Sequence, residues 1–175
     1  MIRLNTKSQP IRDLEDIYKK QGTKAMEAYI NKLGSPLVEA IDDLHDQVTY
    51  LYLGTPETEN VRLLKPGTFE NLEDHSLTQL EDSKLWYSVY QVRNHLRYGY
   101  FYLENDDPEL EMDARFKDLK DDPLNPFYRT YNDMDLNEKK HSLVGLTRVD
   151  DHIWACDFEG LARGTLETLV YKSHI

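Results

Sequence analysis

A single cysteine, Cys156, stands in a chain of 175 residues. No internal disulfide can form, and such thiol usage fits a reducing compartment. Nowhere does the sequence approach the roughly 18 consecutive apolar residues that a membrane-spanning helix needs, and Met1 to Pro10 lack the apolar centre of a secretory signal. Positive charge is scarce too, since 21 Lys and Arg against 32 Asp and Glu leave a net charge of −11. That balance repels phosphate backbones, and the basic residues form no local cluster, so nucleic acid and membrane are set aside as partners. The chain reads as soluble and cytoplasmic.

Catalytic signatures are equally sparse. No serine sits in Gly-x-Ser-x-Gly, and neither a phosphate-cradling Gly-x-x-x-x-Gly-Lys loop nor a dinucleotide fingerprint occurs. The six histidines include no pair at metal-binding spacing. Asp133-x-Asp135-x-Asn137 has the opening spacing of a calcium loop, but Glu138 replaces the turn glycine and Val144 the bidentate glutamate. No metal, no cofactor and no catalytic residue is expected.

What the sequence does contain is a change of period. Ile11, Leu14, Ile17 and Tyr18, then Met26, Tyr29, Ile30 and Leu33, recur at helical spacing, with Gly34 as a C-terminal cap and Pro36 as a stop. From Val48 the period becomes two. Strands are predicted at 47–54, at Val61–Lys65, at Leu85–Val92, at Leu96–Leu103, at Leu143–Val149 and at Ile153–Phe158, and again over the last ten residues. Only three residues separate the third and fourth of these, which predicts a hairpin. Asp107-Pro108 predicts a short helix near 108–120 with Met112, Phe116 and Leu119 on one side. Residues 125–140 read as a polar loop. Seven or so short strands with turn signals describe a mainly β chain, a sandwich.

Within the fourth strand Tyr98, Tyr100 and Tyr102 share one face. Such a ladder is either cross-strand packing or a stacking platform for sugars or catechols. Gly99 interrupts the opposite face and marks a bulge or a close backbone approach.

Laid end to end, these elements form a pattern: a helical arm, Gly34-Ser-Pro-Leu-Val-Glu39, Val48-Thr-Tyr-Leu-Tyr-Leu53, Asn60-Val-Arg-Leu-Leu64, a Trp-containing strand, a Tyr-rich strand and Asp122-Pro-Leu-Asn-Pro126. This resembles the N-terminal domain of the enterochelin (enterobactin) esterases, from about Gly34 to Pro126 and more weakly beyond. Gly164 to Ser173 is similar to the segment that leads into the α/β-hydrolase domain of that family. The resemblance implies an immunoglobulin-like (early-set) β-sandwich at 35–163, preceded by a helical arm at 1–34 and followed by a lead-in strand at 164–175. It implies, as partner, a C-terminal α/β-hydrolase domain, and a role in shaping or covering the cleft where the esters of a ferric catecholate siderophore are hydrolysed. The natural polypeptide is then expected to continue past Ile175. The family's catalytic triad lies in that later domain and has no counterpart in this sequence.

A ferric catecholate is anionic, so a surface that met it would offer cations and aromatic rings. Arg62, Arg93, Arg97 and Arg129, with Tyr100 and Tyr128, are the candidates, and Asp122 and Asn125 join them if the proline-rich turn borders the cleft. That turn also has a purely structural reading, because its prolines restrict their neighbours and its Asp and Asn side chains bond nearby backbone. Two other functions compete. One is a free-standing carbohydrate-binding or protein-interaction sandwich; the other is a small enzyme built around Cys156 or a carboxylate pair.

Overall fold

The computed structural model describes residues 1–66, 72–94, 96–132 and 138–145. Two helices follow a short first strand, β1 (Ile2–Leu4): α1 (Gln9–Gln21) and α2 (Thr23–Leu33). Pro10 sits in the first turn of α1, where its missing N–H costs nothing. Gly22 and Gly34 end the two helices at positive φ, and each donates its N–H back to a carbonyl four residues earlier. The predicted apolar stripe is what the helices bury. Ile11, Leu14, Met26 and Ile30 are fully covered, packed on Leu51, Leu85 and Val89 of the sheet beneath.

That sheet is built from β2 (Leu37–Ala40), β3 (His45–Leu53), β5 (Thr78–Gln79) and β6 (Leu85–Arg93) together with β1. Its order is β1-β6-β3-β2, with β5 beside β1 on the same edge of β6. The second sheet contains β4 (Val61–Leu64), β7 (Arg97–Glu104), β8 (Tyr128–Asn132) and β9 (Glu138–Gly145), in the order β4-β7-β9-β8. All pairings among the described residues are antiparallel. The chain is thus mainly β, two antiparallel sheets in a sandwich with short helices.

The core between the sheets is unusually rich in tyrosine. Tyr98, Tyr100 and Tyr102 point inward and meet Tyr50 and Tyr52 of the opposite sheet, with Tyr50–Tyr100 and Tyr52–Tyr102 ring centroids 5.0 Å and 4.9 Å apart. The ladder is packing, and a stacking platform on this face is ruled out by its burial. Gly99 is a close approach: a Cβ there would collide with the His141 ring, which stacks on Phe101 at 4.3 Å.

Three expectations need correcting. The strands at 85–93 and 97–104 form no hairpin; β6 lies in the first sheet and β7 in the second, so the chain crosses the sandwich between them. Both edges of β6 are already taken, by β3 on one side and by β1 and β5 on the other. Its two faces are buried as well, and β7 is left to pair elsewhere. Next, the predicted helix near 108–120 shrinks to α3 (Met112–Arg115) and a 3-10 turn at Phe116–Asp118. Asp107 accepts the N–H of Glu109 on its side chain and that of Leu110 on its carbonyl, which closes a turn where the helix should start. Met112 is left exposed, while Phe116 and Leu119 pack toward Leu64, Leu72 and Leu103. Finally, the polar stretch 125–140 contains β8 and the start of β9. An edge strand needs only backbone partners, so polar side chains do not prevent it.

The strands predicted at 153–158 and over the last ten residues, Cys156, and the residues Asp133, Asp135 and Asn137 lie outside the described residues.

Candidate functional site

The Asp122-Pro-Leu-Asn-Pro126 turn enters between the end of α2 and the end of β9. Its Asp122 is 2% exposed and points into the core. The Tyr100 hydroxyl donates to Asp122 Oδ2 at 2.6 Å, and the Tyr102 hydroxyl reaches the same oxygen at 3.3 Å. Oδ1 accepts the N–H of Leu124 at 2.9 Å, and the Asp122 N–H donates to Ser142 Oγ at 2.7 Å. Asn125 closes the network: its Nδ2 donates to the Tyr100 hydroxyl at 3.0 Å and to the Leu143 carbonyl at 2.9 Å, and its Oδ1 accepts from Phe127 N–H. The outer end of the turn is tied to the helix layer, where Ser35 N–H donates to the Leu124 carbonyl at 3.2 Å.

Burial pushes the Asp122 carboxyl up from its ordinary value, and the donated hydrogen bonds only partly oppose this. The Tyr100 and Tyr102 phenols rise too, first through burial and then through the Asp122 charge. Protons therefore stay on the phenols, and Asp122 accepts. With both its oxygens occupied by donors, the carboxylate is a support for the turn and not a base open to a substrate.

Above this floor lies an open groove of about 540 Å³. Its walls are the last residues of α2, the cis Ser35-Pro36 linkage, Val38 of β2, residues 123–127 and Leu143–Gly145. Lys32 is the one charged residue among the described residues that line it. Phe127, 72% exposed, stands at its lip.

The eight predicted binding residues fall into three places. Tyr100, Asp122 and Asn125 share the network just described, and Tyr128 and Arg129 follow it directly on edge strand β8, where Lys140 Nζ sits 4.6 Å from the Tyr128 ring centroid. Arg62 is elsewhere and buried; its Nε lies 2.5 Å from Asp106 Oδ2, and Arg115 grips the same carboxylate through Nε and Nη2 at 2.8 and 2.7 Å. Such a pair is structural. Arg93 and Arg97 flank the crossing between the sheets, both exposed. The structure thus brings five of the eight to one side, sets Arg97 near them in register with Gly145 of the groove wall, and leaves Arg62 and Arg93 apart.

Sequence reasoning missed Lys65. Its Nζ lies 4.5 Å from the ring centroid of Tyr90, whose hydroxyl meets His75 Nδ1 at 3.0 Å, and burial pushes the ammonium down to about 8. An apolar-run search has no means of finding a lysine that folds inward from a strand end. Among the described residues no group of His, Cys, Asp and Glu is placed to hold a metal ion, and no helix is long and apolar enough to cross a membrane.

No family model and no curated protein sequence matches the chain. Solved structures do. An enterobactin esterase from Shigella flexneri, crystallised with 2,3-di-hydroxy-N-benzoyl-glycine, superposes with a TM-score of 0.55 at 15% identity over 71% of this chain. The same organism's enterobactin esterase with enterobactin gives 0.52 at 18% over 73%, and the ferric enterobactin esterase from Salmonella typhimurium gives 0.51 at 13% over 69%. In each case the match spans 36% of the length of the solved chain. At such identities the likeness is one of fold.

Proposed function

We propose that this chain is the non-catalytic N-terminal part of an enterochelin esterase-like hydrolase: an immunoglobulin-like sandwich at 35–163 with a helical arm at 1–34 and a lead-in strand at 164–175. It acts in the cytoplasm, in iron acquisition, by helping to shape or cover the cleft in which ferric catecholate siderophore esters are hydrolysed. Its partner is an α/β-hydrolase domain, in the same polypeptide or in trans. The observation that carries this reading is the superposition of most of the chain on about a third of several enterobactin esterases. The Asp122–Pro126 turn supports it, since a rigid, internally satisfied turn beside an open groove suits a domain that borders a cleft.

Within this reading Tyr128 and Arg129, on the edge beside the groove, are the residues offered to an anionic ligand. Tyr100, Asp122 and Asn125 hold the turn in place behind them. The competing platform of tyrosines loses its support with the burial of Tyr98, Tyr100 and Tyr102.

Purified 175-residue protein is expected to hydrolyse no simple aryl ester above the buffer rate. Turnover that persists through repeated purification overturns the non-catalytic assignment. A coding frame that continues past Ile175 into a Gly-x-Ser-x-Gly segment is the matching genetic observation.

A further inference from the structure

Strand β6 divides one of its edges between two partners. β1 pairs with it at Val89, Tyr90 and Gln91, and β5 pairs with it at Trp86 and Tyr87. Ser88 falls in the interval, where one partner has ended and the other has not begun. A recess of about 150 Å³ opens there, walled by residues 3–6, by Thr78 and by residues 87–89. It has no residue in common with the groove above the Asp122 turn.

Two independent features of this recess point to a ligand. The first is an unsatisfied buried group: Ser88 is 2% exposed, and its Oγ has no hydrogen-bond partner among the described residues. Buried hydroxyls are costly to leave unpaired, and an unseen water or ion is a usual explanation when one is found. Opposed residues of an antiparallel pair project from the same face, as do alternate residues of one strand. Arg3 stands opposite Tyr90, and Ser88 is two residues from Tyr90, so the Ser88 and Arg3 side chains leave the sheet on the same face.

The second feature is charge. The chain carries a net charge of −11, yet no acidic residue lines the recess, and Arg3 is the one charged residue in its wall. Arg3 donates through Nη1 to the Asp74 carbonyl at 2.8 Å, while its Nε and Nη2 have no partner among the described residues. One corner of the guanidinium is thereby tethered, and the rest of the fork is left for an acceptor. Asn5, Thr6 and Thr78 add an amide and two hydroxyls to the wall. At a share of about 30 Å³ per water, the space corresponds to roughly five waters. That is more than one lone hydroxyl needs and well below the roughly 300 Å³ at which pockets for larger organic ligands begin.

We propose that this recess is a binding site for a small oxyanion, a carboxylate or a phosphate, which accepts from the Arg3 guanidinium and from the Ser88 hydroxyl. Paired N–H donors of arginine match two oxygens of such an anion. The site is separate from the role in ester hydrolysis and stands whether or not that role does.

The test is a titration of the ¹⁵N-labelled 175-residue protein with sodium acetate and, separately, with inorganic phosphate. Sodium chloride holds the ionic strength constant. The backbone amides of Ser88 and Thr78 and the Arg3 Nε–H should shift and saturate with at least one of the two anions, and which one does so identifies the preferred oxyanion. Ser88→Ala should weaken that binding about three- to tenfold, the scale of one hydrogen bond. Arg3→Gln should abolish it. Arg3→Lys, which keeps the charge and loses the fork, should weaken it and serves in place of Arg3→Gln if that variant does not fold. Shifts that fail to saturate with either anion leave water as the occupant and overturn the inference. So does a saturating response that survives Arg3→Gln, or one that Arg3→Lys leaves at wild-type strength.

Discussion

The phenolic hydroxyl of Tyr100 donates to the carboxylate of Asp122 at 2.6 Å, joining the middle of β7 to the turn 22 residues further along. Both groups are buried, and the bond is one of those that fasten the proline-rich turn to the sandwich. Hydrogen bonds to a charged acceptor contribute more than neutral ones, and leaving a buried carboxylate short of a donor adds the cost of its desolvation.

Tyr100→Phe is therefore expected to lower stability by about 1.5–3 kcal/mol, read as a shift of the urea midpoint without change in slope. An unchanged midpoint would show that the remaining bonds to Tyr102, Ser142, Leu143 and Ser35 hold the turn without this one.

Asp122 also gives the protein a distinct response to pH. Its folded-state pKa is raised, so the native chain holds this proton more tightly than the unfolded one. Its contribution is greatest at low pH and declines as pH rises from the ordinary carboxylate value, about 3.9, through the raised one. Glu15, held down to about 2 by Lys19 and Lys7, pulls the other way. The clean measurement is the difference in unfolding midpoint between wild type and Asp122→Asn across that window; it should shrink as pH rises.

Lys65 has the opposite sign. Burial lowers its pKa to about 8, so the folded state gives up this proton before the unfolded state does. The cost of the buried ammonium is complete below pH 8 and recedes as pH rises toward the ordinary lysine value, about 10.4. Above pH 10 the buried tyrosines, with Tyr90 and Tyr98 raised to about 12, begin to oppose it. Between about pH 8 and 9.5 wild type should gain stability relative to Lys65→Met, and a flat difference across that range contradicts the assignment.

Leu14→Ala tests the helix layer. Leu14 is fully buried against the outer face of the first sheet, and its truncation should cost about 2–5 kcal/mol. A loss of well under 1 kcal/mol would mean that α1 is only loosely attached.

Gly99→Ala places a methyl group in the His141 ring. We expect a cost of about 1–3 kcal/mol and a change in the ring-proton shifts of His141 as its stack on Phe101 opens. Intact shifts would show that the β7–β9 edge moves instead.

How far the sequence carries differs by element. The helices were legible because Ile11, Leu14, Met26 and Ile30 repeat at a period that only a one-sided helix requires, and glycines stand where each helix stops. The long strands were legible from their alternation. Strand pairing was not: a three-residue gap between two β-rich runs fits a hairpin and a crossing between sheets equally well, and the choice depends on which edges distant strands occupy. The short edge strands β1, β2 and β8 run for only three to five residues, too few for alternation to single them out. Of the site, the Asp122–Pro126 motif stood out by composition, and its two alternative readings differ only in what lies next to it. That Arg62 serves an internal carboxylate while Arg129 sits at the surface is a matter of tertiary position, invisible in residue type.

The crossing between the sheets has a consequence for the order in which the protein can be made. Among the described residues every strand of the first sheet, and both long helices, lies within the first 93 residues, so these pairings can form as soon as β6 leaves the ribosome. The second sheet has no such advantage. β7 emerges next with only β4 to pair with, and its other edge stays open until residues 138–145 are synthesised. Domains generally assemble from the N-terminus during synthesis, and unpaired edges are where nascent chains go astray. During that interval a strand carrying Tyr98, Tyr100 and Tyr102 waits half-paired beside the first sheet, and the vulnerable stage of biogenesis is the wait for β9.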